Sequence, residues 1–285
     1  MLGDIDNAGP PAGDPGVGFD IRRYISGFGA QLAGPANVIM QLSRPGVGYG
    51  VKESPVESGN ILEHPVKRAR TTFTYLAVAL LGSEEDRLVY RKAVNRQHAQ
   101  VRSTRSSPVE YNAMDPELQL WVAACLYHGT VDLVERMQGP LDPTVADQLY
   151  AHCARFGTTL QVKKHMWPAD RLQFARYWDT SLAEVRIDDT IREYLLALAR
   201  LEHLPGVVRV PLGQTCLFWT RGFLPPLLRE QMGFEWSPGE ESEFNRRLRL
   251  LGRVESLLPP AARALPFDVL LWDMRRRRRS GRPLV

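Results

Sequence analysis

The sequence has 285 residues, of which 44% are hydrophobic and 24% are charged. These values are typical of folded globular proteins and exclude a largely disordered chain. The formal net charge is +4, but six arginines, Arg275 to Arg279 and Arg282, lie near the C-terminus, and without them the charge is slightly negative. The body of the chain is therefore not that of a broadly basic nucleic-acid-binding protein.

Cysteines and targeting signals narrow the class of protein further. Cys125, Cys153 and Cys216 are the three cysteines, and their spacing matches neither a disulfide scaffold nor a zinc site. The N-terminus lacks the basic and apolar regions of a signal peptide, and no apolar run reaches the roughly 18 residues of a membrane-spanning helix. We expect a cytoplasmic protein without a transmembrane segment.

The first quarter of the chain alternates between glycine- and proline-rich stretches and helical patterns. Residues 1–18 contain many glycines and prolines, which predicts a flexible N-terminal arm. Apolar residues recur at helical spacing from Asp20 to Leu42, and the Gly34-Pro35 pair predicts a break between two short helices there. The segment from Arg44 to Pro65 is again rich in glycine and proline, so we expect a long connection that wraps a site.

Helical patterns dominate the rest of the chain, and strand-like alternation is hardly visible. Ser83 before three acidic residues and Asp115 before Pro116 are typical helix N-caps. We therefore expect an all-α fold, a single globular helical domain spanning residues 19–270, followed by an Arg-rich basic C-terminal tail at 271–285. The predicted helices cover 65–81, 84–103, 115–138, 143–157, 168–184 and 188–202, with further helices from Thr215 to the end.

One histidine is placed to point into the interior. Tyr90, Val94, His98 and Val101 follow one another at steps of four, four and three residues, which puts the His98 imidazole on an apolar helix face. A neutral imidazole held rigidly in a dry environment is a suitable axial ligand for a haem iron. By spacing alone, a hydrogen-bonded core histidine is the commoner interpretation, and both remain open.

The preceding helix carries a polar stripe. Arg68, Thr72, Tyr75 and Ala79 share one face, which changes from basic and hydroxylic to apolar. A buried guanidinium requires an acceptor because an uncompensated buried charge is costly. A haem propionate or an oxygen-derived ligand would serve, and so would a carboxylate elsewhere in the chain or exposure to water.

These two segments together resemble a known family. Arg68-x-x-x-Thr72, followed about 26 residues later by His98-Ala99-x-Val101-Arg102, is similar to the core of the oxygenase superfamily that contains latex-clearing protein and the fungal MpaB enzymes. The resemblance extends over roughly residues 30 to 265. Its further motifs lie at 111–122 (YNAMDPELQLWV), 166–169 (MWPA) and 174–178 (FARYW).

The resemblance implies an all-helical fold with haem b buried in a pocket between helices. It makes His98 the proximal iron ligand and places Arg68 and Thr72 beside the haem. Thr71 stands at the position of the distal lysine of latex-clearing protein and cannot bind iron as an amine does, so cleavage of rubber itself is not implied. The carboxylate base of the family aligns loosely with Glu53.

Other residues with chemical potential have plainer interpretations. Trp121 and Trp178 would line a cofactor pocket if they were close to it, but large aromatic residues on helices are usually core. Cys125 is expected to be an inert packing residue rather than a thiolate ligand.

The resemblance thus predicts a haem b-dependent oxygenase that uses dioxygen on a hydrophobic, isoprenoid- or polyketide-like substrate, with oxidative C=C cleavage as the most concrete version. The alternative is a non-catalytic haem- or ligand-binding helical protein, which the absence of a lysine at Thr71 favours. The arginine run at 275–279 is typical of a solvated, frayed terminus. Attraction to RNA, DNA or anionic lipid is the other interpretation, and nucleic acid is not our expected partner.

Overall fold

The computed structural model describes residues 19–56, 62 and 64–285, except for the side chain of Val208. The arm expected at 1–18 lies outside the described residues, as does part of the connection expected between Arg44 and Pro65. Within the described part, helices are the regular structure, and pairing of extended segments is limited to an isolated bridge between Arg102 and Asn112. The prediction of an all-α, single-domain fold is confirmed.

Among the described residues, a single-turn 3-10 helix, Ile21–Arg23, precedes the first α-helix, and another, Lys164–Met166, lies in a connection between two α-helices. None of the described helices is long and apolar enough to cross a membrane. The helices are α1 (Gly27–Leu42), α2 (Pro45–Lys52), α3 (Pro65–Leu81), α4 (Glu84–His98), α5 (Pro116–Gln138), α6 (Pro143–Cys153), α7 (Arg155–Thr158), α8 (Arg171–Glu184), α9 (Asp189–Ala199), α10 (Gly206–Phe223), α11 (Pro226–Gln231), α12 (Pro238–Ser256) and α13 (Pro260–Arg279).

The predicted N-caps are present. The Ser83 hydroxyl accepts a hydrogen bond from the Asp86 backbone N–H, and the Asp86 carboxylate accepts one from the Ser83 N–H, so α4 begins with a complete capping box. The Asp115 carboxylate accepts from the Glu117 N–H, with Pro116 at the first helical position. These caps fix where the two helices that flank the candidate site begin.

The structure differs from the sequence-based prediction at Gly34-Pro35. A single helix, α1, continues through Pro35, although a proline inside a helix costs a backbone hydrogen bond. Ala33, Ala36 and Ile39 are buried around this point, so tertiary packing outweighs the local preference. The expected connection after Arg44 likewise contains a helix, α2.

Aromatic residues form the densest part of the core, between α5 and α8. The Trp121 and Trp178 rings stack with centroids 5.4 Å apart, and both side chains are buried, as expected for core residues. Cys125, one turn after Trp121, is also buried, and burial raises the pKa of its thiol well above its usual value. A protonated, inaccessible thiol fits the expected packing role.

Arg275 to Arg279 belong to a helix that packs on the domain, which differs from the tail expected at 271–285. Helix α13 continues to Arg279 and packs against α3 and α1. Leu271 and Met274 are buried, and the Arg275 guanidinium lies 2.7 Å from the Asp86 carboxylate at the start of α4. A helix segment that carries a run of like charges is stable only where tertiary contacts stabilise it. Here those contacts come from residues far apart in the sequence, so the local pattern did not predict them.

Candidate functional site

His98 is the last residue of α4, and its imidazole faces inward. Its ring is half-buried, and its Nδ1 atom is buried without a hydrogen-bond partner among the described residues. Burial, and secondarily the positive charge of Arg68, lowers the pKa of His98 to about 4. The imidazole is therefore neutral at physiological pH, which is the form that binds a metal ion.

The helix that carries His98 is shorter than predicted. It ends at His98 instead of 103 because the chain turns there, with the Val101 N–H donating to the His98 carbonyl oxygen at 3.0 Å. Arg102 then pairs with Asn112 in the isolated bridge. The imidazole thus projects from a helix terminus that is fixed by the following loop.

Arg68 on α3 approaches the same space. Burial lowers the pKa of the Arg68 guanidinium, while the electrostatic influence of Tyr194 and Tyr90 acts in the opposite direction. No ion pair joins this guanidinium to a carboxylate in the described part of the chain. An arginine remains protonated in a protein, so α3 presents a half-buried positive charge that has no carboxylate partner among the described residues and influences His98 electrostatically.

The two threonines that follow Arg68 have different surroundings. The Thr71 hydroxyl donates to the Lys67 carbonyl oxygen of its own helix at 2.9 Å, and the Thr71 carbonyl oxygen accepts from the Tyr90 hydroxyl at 2.9 Å. Thr72 instead lines a large cavity. Arg68 lies one turn before Thr72 on α3, but neither Arg68 nor His98 is among the residues that line the cavity.

The cavity has a volume of about 540 Å³ and lies among α1, α3 and α5, with the segment after α9 closing one side. A volume of this size suits a small organic molecule. Its wall is mostly apolar. The apolar lining includes Ala30, Ala33, Val38, Val66, Ala69, Phe73, Leu76, Leu80, Leu126, Leu133, Val134, Phe156, Leu198, Leu204 and Phe267.

The polar side chains of the cavity wall largely bond to protein atoms. The Asn37 amide donates to the Cys125 carbonyl oxygen at 2.8 Å, and the Gln41 amide donates to the Asn37 side-chain oxygen at 2.6 Å. The Thr130 hydroxyl donates to the Leu126 carbonyl oxygen at 2.8 Å. Since these donors are occupied, the cavity offers an occupant mainly apolar contact.

Sequence reasoning did not identify this cavity, because its wall is assembled from helices far apart in the chain. Small residues on α1 and Gly129 on α5 make room for it. At Gly129 an added Cβ would lie 2.4 Å from the Asn37 amide nitrogen, so a side chain there would displace this amide from its hydrogen bond with the Cys125 carbonyl oxygen. The clustering of Ala30, Ala33 and Gly34 was a signal in the sequence, but Gly34-Pro35 was interpreted as a helix break.

The structure places Glu53 in a separate hydrogen-bonded group. Glu53 follows the end of α2 and is exposed. Its Oε2 atom accepts hydrogen bonds from the Tyr111 hydroxyl at 2.7 Å and the Ser107 hydroxyl at 2.6 Å. Glu53 is not among the residues that line the cavity. Of the predicted site residues, Thr72 lines the cavity, whereas His98, Arg68, Thr71 and Glu53 do not. His98 lies within electrostatic range of Arg68, and Glu53 belongs to its own hydrogen-bonded group.

The cofactor expected from the resemblance can be compared with the residues present. No group of three or more His, Cys, Asp and Glu side chains suited to a metal ion is found in the described ranges. A haem iron held by one histidine does not require such a group. The neutral imidazole of His98 suits a haem iron, and the Arg68 charge, which has no carboxylate partner in the described ranges, suits a propionate.

Comparisons with known proteins identify the family of the chain. An uncharacterized protein of Mycobacterium bovis and an uncharacterized protein of Mycobacterium tuberculosis are each 52% identical to this chain over 250 residues, which cover 88% of this chain and 98% of theirs. No solved structure matches the chain significantly. The family described as "ER-bound oxygenase mpaB/B'/Rubber oxygenase, catalytic domain" matches residues 22–254. The chain therefore belongs to the MpaB/rubber oxygenase catalytic-domain family.

Proposed function

We propose that this family member is a haem b-dependent oxygenase that uses dioxygen to oxidise a hydrophobic, isoprenoid- or polyketide-like small molecule. The observation that carries the proposal is the neutral, inward-facing imidazole of His98, whose Nδ1 atom has no partner among the described residues, within electrostatic range of the Arg68 guanidinium. Oxidative cleavage of a carbon–carbon double bond is the most specific form of the proposed reaction.

His98 is the proposed iron ligand. Its low pKa keeps a ring nitrogen unprotonated, so iron binding does not compete with a proton at neutral pH. Its position at the fixed end of α4 limits the orientations of the ring. Haem b, when bound, supplies the dioxygen chemistry that no amino-acid side chain supplies.

Arg68 and Thr72 are the proposed polar partners. In surroundings with few competing charges, the Arg68 guanidinium would bind a haem propionate or stabilise negative charge that develops on oxygen. The Thr72 hydroxyl, on the cavity wall, would orient a polar atom of the substrate or of dioxygen. Both roles require Arg68 and Thr72 to keep their positions relative to His98.

The apolar cavity is the proposed substrate site. A mostly apolar wall favours an aliphatic or polyene substrate, because the transfer of apolar substrate surface from water into the cavity is favourable. Thr71 carries a hydroxyl that already donates to the Lys67 carbonyl oxygen, so this chain has no amine at the position of the distal lysine. We therefore do not assign rubber polymer as the substrate.

Glu53 remains the candidate base of the proposal. Its carboxylate is already held by the Tyr111 and Ser107 hydroxyls, so it would act only after those hydrogen bonds change. Substitution Glu53→Gln keeps the shape and removes the basic oxygen. Substrate turnover that falls in Glu53→Gln while haem content is unchanged would support the assignment, and unchanged turnover would remove it.

Haem content and oxygen consumption test the proposed function. The purified chain, reconstituted with haemin, should show a Soret absorption band that disappears in His98→Ala and persists in His165→Ala, whose side chain is exposed. Oxygen uptake with a panel of isoprenoid and polyketide substrates should occur in the variants that show the Soret band and should be lost in His98→Ala. A Soret band without oxygen uptake on any substrate would instead favour the non-catalytic haem-binding alternative, and an unchanged band in His98→Ala would remove the assigned ligand.

A further inference from the structure

The outer face of α13 carries an uncovered apolar stripe. Leu265, Val269 and Trp272 are 57%, 52% and 53% exposed, respectively. Their spacing of four and three residues places all three on one face of the helix, opposite the buried Phe267 and Met274. The stripe is a surface separate from the cavity and from His98.

The same face becomes basic towards the end of the helix. Arg276 and Arg279 continue the helical spacing of the stripe, four and seven residues after Trp272, and both are exposed. The Arg276 guanidinium lies over the Trp272 ring, 5.5 Å from its centroid. Arg282 follows just beyond the helix end and is also exposed. The face thus combines apolar side chains with cations.

The six C-terminal arginines divide into two sets. In the described part of the chain, Arg276, Arg279 and Arg282 have no carboxylate partner, and these are the arginines on or next to the stripe. The other three hold the helix to the domain or to itself through ion pairs: Arg275 with Asp86, Arg277 with Asp273 and Arg278 with Glu85.

We propose that this face of α13 docks the protein on the surface of an anionic lipid membrane. The stripe would lie at the boundary between headgroups and acyl chains, where a tryptophan ring is favoured. The three uncommitted arginines would contact lipid phosphates. The proposal concerns the outer surface only and is independent of the proposed oxygenase function.

Charge complementarity selects this partner over two others. A nucleic acid would engage Arg276 and Arg279 but would leave Leu265 and Val269 without apolar contact. A second copy of the chain offers no free carboxylate on this face. The two acidic residues near it already form ion pairs: Asp268 with Arg22 and Asp273 with Arg277.

Sedimentation with lipid vesicles tests the proposal on the full chain. We expect binding to vesicles of phosphatidylcholine containing about one third phosphatidylglycerol, weakening with added salt, and little binding to phosphatidylcholine alone. The double variant Arg276→Gln/Arg279→Gln should bind roughly 25-fold more weakly, at about fivefold for each arginine near an anionic surface. Leu265→Ser/Trp272→Ser should also lose most of the binding.

Matched variants elsewhere on the surface distinguish vesicle binding by the stripe from an effect of net charge alone. Arg249→Gln/Arg253→Gln removes two exposed arginines from α12, and Val207→Ser removes an exposed apolar side chain from α10. Both should bind vesicles like the unmodified chain. Circular dichroism should show the same helix content in all variants because every substituted side chain points outward.

Three outcomes would overturn the proposal. The first is no binding of the unmodified chain to anionic vesicles at low salt. The second is an equal loss of binding in the α12 control variant, which would indicate net charge alone. The third is tight binding to RNA that depends on Arg276 and Arg279 and is unaffected by Leu265→Ser/Trp272→Ser, which would make the face a nucleic-acid surface. Quenching of Trp272 fluorescence by brominated lipid, absent in Trp272→Phe, would support it directly.

Discussion

His98 at the end of α4 and His152 in α6 are two inward-facing histidines with the same low pKa and different hydrogen bonding. Burial is the leading cause that lowers the pKa of each to about 4. The His152 Nε2 atom lies 2.8 Å from the Leu80 carbonyl oxygen, whereas the His98 Nδ1 atom has no partner among the described residues. Burial and a lowered pKa are therefore common to both histidines, and hydrogen bonding of the ring is what differs between them.

The largest expected difference between substitutions of His98 and His152 is in cofactor binding. His98→Gly should lose the Soret band, with haem affinity lower by on the order of 100-fold or more, because the iron loses its protein ligand. Exogenous imidazole should restore the band by entering the space left by the side chain. The absorption spectrum of the reconstituted protein, titrated with imidazole, is the measurement.

The matched control for this prediction is His152→Gly. Its spectrum should resemble that of the unmodified protein and should not respond to imidazole. If the band persisted in His98→Gly and vanished in His152→Gly, the roles of the two histidines would be reversed.

The next largest difference is in stability. His152→Ala should lower the free energy of unfolding by about 2 kcal/mol, because it removes a buried ring and leaves the Leu80 carbonyl oxygen without its hydrogen bond. His98→Ala should cost the cofactor-free protein less than half as much, since its Nδ1 atom has no protein partner to lose. Urea unfolding of both variants without haem measures the two values, and equal costs would contradict the comparison.

His152 should contribute to the pH dependence of the free energy of unfolding. Its folded-state pKa of about 4 lies below the usual 6.5, so the unfolded chain binds more protons between these values. The contribution of the neutral ring to stability is complete above pH 6.5 and declines as the pH falls towards 4. His152→Leu cannot take up this proton, so the stability gap between it and the unmodified protein should shrink on acidification.

Urea titrations at pH values above 6.5 and near 4 measure that gap. A gap that stays constant across the range would show that His152 titrates alike in the folded and unfolded states.

The smallest expected effect on stability concerns Arg68, the charged residue that influences His98. Arg68→Met should raise the free energy of unfolding of the cofactor-free protein by about 1 kcal/mol, because a half-buried charge that has no carboxylate partner among the described residues is replaced by an apolar chain of similar length. Oxygenase activity should be lost. Arg68→Lys keeps the charge and should not be stabilising, and a destabilised Arg68→Met would show that the guanidinium has a protein partner.

The sequence was sufficient to predict the elements that depend on local signals. The caps at Ser83 and Asp115 and the span of α3 follow from hydroxyl, carboxylate and proline preferences and from apolar periodicity, and the structure has them. The inward direction of His98 also followed from spacing. These features need only neighbours within a few turns.

Features that depend on distant segments were not predicted. The continuity of α1 through Pro35 requires packing partners on other helices, and the cavity requires α1, α3 and α5 together. Whether Arg68 meets a carboxylate was left open, because periodicity places a residue on a face without showing what that face meets. The contacts of α13 with the domain include the ion pair between Arg275 and Asp86, which are 189 positions apart.

Helix α13 also shows that the unit of homology and the unit of folding differ in length. The family match ends at residue 254, six residues before α13 begins at Pro260. Yet α13 supplies Phe267 to the cavity wall and buries Leu271 against the domain. A truncated chain that stopped at the homology boundary would expose part of its interior, so expression experiments on relatives should retain the segment that follows the recognisable domain.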